Sequence, residues 1–71
     1  MNEWEAAARS RKAYRLCRMA EHLIAEHPEL TVEHFRAAES ELRARIAALA
    51  KVNVPSDATW DLMLEMLEAR P

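Results

Sequence analysis

Glycine is absent from this 71-residue chain, cysteine occurs once, and aromatic residues make up only 6% of it. Each shortage excludes something. Without glycine there is no glycine-rich loop to cradle a phosphate, and the composition is that of helix formers. The single Cys17 excludes an internal disulfide, and the first residues do not read as a charged-then-apolar leader, so a reducing cytoplasm is expected. No apolar run approaches the roughly 20 residues of a membrane span, and no membrane association is expected. No stretch alternates apolar with polar residues for long enough to form a strand. The formal net charge of −2 is not the basic footprint of a stand-alone nucleic-acid binder, so local charge has to be read instead.

What remains is a chain of helix formers, 51% hydrophobic and 31% charged. This composition predicts one all-α domain over residues 1–71, a small three-helix bundle with up-down-up topology. A chain of this size buries only about 60% of its unfolded surface, so a partner or a second copy can belong to the stable unit.

Helix 1 is predicted over 3–27. Asn2 and Glu5 form a capping box at its start, and Pro28 pushes its neighbour out of the helical region at its end. Ala13, Leu16, Cys17, Ala20, Leu23, Ile24 and His27 fall on one side at helical spacing and should face the core. Helix 2 is predicted over 32–52, capped by Thr31 with Glu33 in its first turn and a Leu30–Phe35 hydrophobic staple. Its inward face reads Val32, Phe35, Ala38, Leu42, Ile46, Leu49 and Ala50, with Arg36, Ser40, Arg43 and Lys51 opposite. Helix 3 is predicted over 57–69, capped by Ser56 or Asp57, with Pro55 and Trp60 as a second staple.

Charge is distributed unevenly along these helices. Between Glu5 and Glu21 there is no acidic residue, while Arg9, Arg11, Lys12, Arg15 and Arg18 all occur there. Arg11, Arg15, Arg18 and His22 share one helical face with Trp4, opposite the core stripe. An arginine row beside an exposed aromatic can grip phosphates or dock on an acidic protein surface, and it can also be a solvated face in an arginine-preferring genome. Arg9 lies in line with the core stripe, where an apolar residue belongs, so the first two turns are expected to overhang the bundle and offer Trp4, Ala7, Ala8 and Tyr14 to a partner. Folding of Trp4 back over helix 3 is the alternative. Helix 3 carries the acidic stripe Asp57, Asp61, Glu65 and Glu68 beside a wide apolar surface of Trp60, Leu62, Met63, Leu64, Met66 and Leu67. Core packing explains most of that surface, and Leu62 and Met66 are expected to be exposed until a partner covers them.

The sequence supplies little for chemistry. His22 and His27 point to different sides of helix 1, no histidine pair has the i, i+4 spacing of a helical zinc site, and Cys17 reads as an inert core thiol. No cofactor, metal or catalytic residue is expected. The expected function is therefore that of a cytoplasmic, non-enzymatic protein–protein interaction module of the regulator or inhibitor type, prokaryotic or derived from a phage or mobile element. Its partner-binding residues would be Trp4, Arg11, Arg15, Arg18, His22, Leu62 and Met66. The alternative is a nucleic-acid-binding transcriptional regulator using Arg9, Arg11, Lys12, Arg15 and Arg18. The opposed basic and acidic faces also leave a homodimer open.

Overall fold

The computed structural model describes the backbone of residues 3–69 and the side chains of residues 11–69. It is all-α: α1 (Glu3–Glu26), α2 (Val32–Ala37), α3 (Glu39–Ala50) and α4 (Asp57–Glu68). The expected Asn2 cap and the placement of Trp4, Ala7, Ala8 and Arg9 side chains lie outside the described residues.

Local sequence accounts for most of these boundaries. α1 stops before Pro28, as the steric restriction on the preceding residue requires. Thr31 caps α2 with a box closed by an unexpected residue. The His34 backbone N–H donates to Thr31 Oγ1, and the Thr31 backbone N–H donates to His34 Nδ1 at 3.1 Å. Histidine here does the work usually done by glutamate or glutamine. Leu30 is half-buried against a fully buried Phe35, completing the staple. Ser56, rather than Asp57, caps α4 by accepting from the Thr59 N–H, with Pro55 and Trp60 buried on either side of the entrance.

The predicted second helix is in fact two. Ala38, at φ −108° and ψ 40°, leaves the helical region; it closes α2 by donating to the His34 carbonyl and opens α3 by accepting from the Leu42 N–H. The break resets the helical phase. α3 turns Leu42, Ile46, Ala47 and Ala50 inward, whereas Leu49, expected in the core, is 49% exposed. The same rotation draws Arg43, expected on the solvent face, towards the core, with its side chain only 14% exposed.

The core lies between α1 and the other helices: Leu16, Cys17, Ala20 and Leu23 from α1, Phe35 from α2, Leu42 and Ile46 from α3, and Trp60, Met63, Leu64 and Leu67 from α4. α4 makes the most extensive packing against α1, α3 packs on α1 as well, and α2 touches both α3 and α4. Ile24 and His27, at the far end of the α1 stripe, are half-buried rather than buried. Phe35 and Trp60 meet with ring centroids 6.4 Å apart, tilted by 52°. The Trp60 indole Nε1 is buried with no acceptor among the described residues, a cost of about 1–3 kcal/mol set against burial of the largest side chain in the core.

Candidate functional site

α1 exposes Arg11, Arg15, Arg18 and His22 opposite its buried stripe, as the helical spacing predicts. The fold sets an open groove on each side of the Arg11–Arg15 ridge. One, of about 740 Å³, is lined by Arg11, Lys12 and Arg15 from α1 and by Lys51, Val52 and Asn53 beyond the end of α3. The other, of about 520 Å³, is lined by Arg11, Tyr14, Arg15 and Arg18 from α1 and by Met66 from α4.

Lys51 reaches the first groove because of how α3 ends. Its φ is 58°, the only positive value at a non-glycine residue among those described. The Val52 N–H donates to the Ala47 carbonyl at 3.0 Å and the Lys51 N–H to the Ala48 carbonyl at 3.2 Å, the paired bonds of a Schellman ending. Glycine is the usual residue at this left-handed position, and a side chain there costs about 1 kcal/mol or more. Lys51 thus lines the same groove as three α1 cations, from a left-handed position that an ordinary helix ending requires.

Charge pairing separates this ridge from Arg36 and Arg43, whereas exposed Arg45 likewise has no carboxylate within ion-pair distance among the described residues. Arg43 donates from Nε and Nη2 to the Pro55 carbonyl, pairs with Asp57 at 2.8 Å and Glu39 at 3.6 Å, and lies 6.0 Å from the Trp60 ring centroid. Arg36 donates to Glu68 Oε1, with Nε at 3.1 Å, and that bond holds its guanidinium further above its ordinary pKa. Two of the four acids of the α4 stripe, Asp57 and Glu68, are thereby neutralised within the fold. Among the described residues, no carboxylate lies within ion-pair distance of Arg11, Lys12, Arg15 or Lys51.

Arg18 has a different neighbour. Its Nη1 donates to the Tyr14 hydroxyl at 3.4 Å and its guanidinium lies 6.0 Å from the ring centroid. The hydrogen bond is the first cause raising its pKa. Tyr14 itself is 48% exposed, so a cation and an aromatic edge are presented together. His22 pairs with Glu26 at 3.1 Å and sits outside both grooves. Met66 is half-buried rather than exposed, because it stands at the edge of the apolar face of α4 and packs partly on the core. Leu62, one turn earlier, is also half-buried and lines neither groove.

Of the expected partner-binding residues, Arg11, Arg15, Arg18 and Met66 line these grooves and His22 and Leu62 do not, while Lys51 and Asn53, which no sequence pattern singled out, line the first. No three His, Cys, Asp or Glu side chains are grouped to hold a metal ion among the described residues. No described helix is long and apolar enough to cross a membrane. No protein family, curated protein or solved structure matches the chain.

Proposed function

We propose that this protein is a small non-enzymatic interaction module of the cytoplasm that binds an acidic protein partner through the α1 ridge and modulates it stoichiometrically. The observation that carries this reading is a row of cations lacking carboxylate partners among the described residues, flanked by Tyr14 and Met66, in a fold that pairs Arg36 and Arg43 internally. Arginine, tyrosine and methionine are residue types enriched at protein interfaces.

The test is an affinity capture from cell extract with and without nuclease, comparing the native chain with the Arg11→Ala/Arg15→Ala/Arg18→Ala variant. A defined protein that survives nuclease and is lost with the variant is the expected result. Retention of that protein by the variant removes the ridge from the reading.

One observation favours a second reading, nucleic-acid binding: the exposed Tyr14 beside Arg18, next to the unpaired cations, resembles the stacking platform and charged groove used for single strands. The net charge of −2 stands against it. Capture only of nuclease-sensitive material reverses the order of the two readings.

A further inference from the structure

We infer that the partner segment is an acidic amphipathic helix lying along α1, its carboxylates on the Arg11, Arg15 and Arg18 row and its apolar edge on Tyr14 and Met66. This rests on the protein-binding reading above and specifies its chemistry.

The first argument is spacing. Arg11, Arg15 and Arg18 recur once per turn, and together they span about 10.5 Å along the α1 axis at about 1.5 Å per residue. A second helix with acids at i, i+4 and i+7 repeats the same interval, so the charges stay in register along the contact. An extended segment presenting acids at i, i+2 and i+4 spans about 13.6 Å and runs out of register by the third charge.

The second argument is the pairing of chemistries on the two sides of the ridge. On the α4 side the groove offers Tyr14 and Met66 under the arginines; on the α3 side it offers Lys12, Lys51 and Asn53 with no carboxylate within ion-pair distance of the lysines among the described residues. A helix laid over the ridge puts a leucine-type face into the first and an acidic flank over the second, the arrangement of helix-in-groove recognition. Of the acidic stripe of α4, Asp57 and Glu68 are tied to Arg43 and Arg36, and Asp61 and Glu65 act electrostatically on Arg36 as well. A nucleic-acid strand also satisfies the cations and can stack a base on Tyr14, so a single strand enters the test as a competitor.

The probe is a fluorescein-labelled, helix-locked peptide with glutamates at i, i+4 and i+7 and leucines on the adjoining face, titrated with the full chain by fluorescence anisotropy. Three competitors accompany it: the same composition with the glutamates at i, i+2 and i+4, a glutamine-for-glutamate version, and a single-stranded RNA of equal charge. The helical acidic peptide is expected to bind at least about tenfold more tightly than each of them. Arg11→Ala/Arg15→Ala and, separately, Tyr14→Ser are each expected to remove most of that preference, with far-ultraviolet circular dichroism unchanged because all three side chains are exposed.

Equal affinity for the two glutamate arrangements overturns the helix assignment, and tighter binding of the RNA overturns the choice of macromolecule. Indifference to Tyr14→Ser overturns the apolar contact. If the peptide fails while the nuclease-resistant capture above still depends on the ridge, this inference falls alone; if both fail, the protein-binding reading falls with it.

Discussion

Arg43 and Arg15 are the same side chain, each in the middle of a helix, and the fold treats them in opposite ways. Arg43 is drawn inward and spends its donors on the Pro55 carbonyl, Asp57 and Glu39 while covering Trp60. Arg15 stands exposed between two grooves with no carboxylate within ion-pair distance among the described residues. The difference lies in what each helix faces. α3 runs beside the turn that enters α4, where a carbonyl and an acid converge, whereas no carboxylate among the described residues comes within ion-pair distance of Arg15 on α1. One arginine holds the architecture together and the other is left exposed, so one residue type takes two different structural roles in a chain of this size.

The comparison breaks most visibly at Arg43. Arg43→Ala removes charge-assisted hydrogen bonds from a largely buried group and strands the Pro55 carbonyl, so a loss of about 2–3 kcal/mol is expected in urea denaturation, with peptide binding retained at temperatures where the variant is folded. The next effect has the opposite sign. Lys51→Gly relieves the left-handed backbone and is expected to raise stability by up to about 1 kcal/mol, while it removes one cation from the groove and weakens capture of the acidic peptide. A gain in stability with no change in binding would remove Lys51 from the site.

The smallest effects sharpen the contrast. Arg36→Ala breaks an exposed, solvent-screened bridge to Glu68 and should shift the urea midpoint much less than Arg43→Ala does. Arg11→Ala/Arg15→Ala should fall within about 0.5 kcal/mol of the native chain, because an exposed side chain with no partner has little to lose. A large loss in that double variant would show that the ridge is structural after all.

Legibility from sequence followed the range of the interactions. Thr31, Ser56, Pro28 and the two staples act over a few residues, and they placed the helix ends. The stripe Ala13, Leu16, Cys17, Ala20 and Leu23 obeys simple periodicity and is buried. The break at Ala38 left no such signal, since alanine is the best helix former and nothing beside it marks a stop. Missing that break misplaced Leu49 and Arg43 together. Lys51 was unreadable for a related reason: in a chain without glycine, the usual marker of a left-handed helix ending is missing. Within the site, the α1 cations were visible as a run, but Lys51 and Met66 are brought to them from elsewhere in the chain, and no local pattern reports such a meeting.

The extensive packing of α4 on α1 also bears on synthesis. During translation, Leu16, Cys17, Ala20 and Leu23 of α1 are made well before the helix that shelters them. The loop to be closed is long, so docking of α4 should be a late step. Until then the nascent chain carries an uncovered apolar helix face, the kind of surface that chaperones shield.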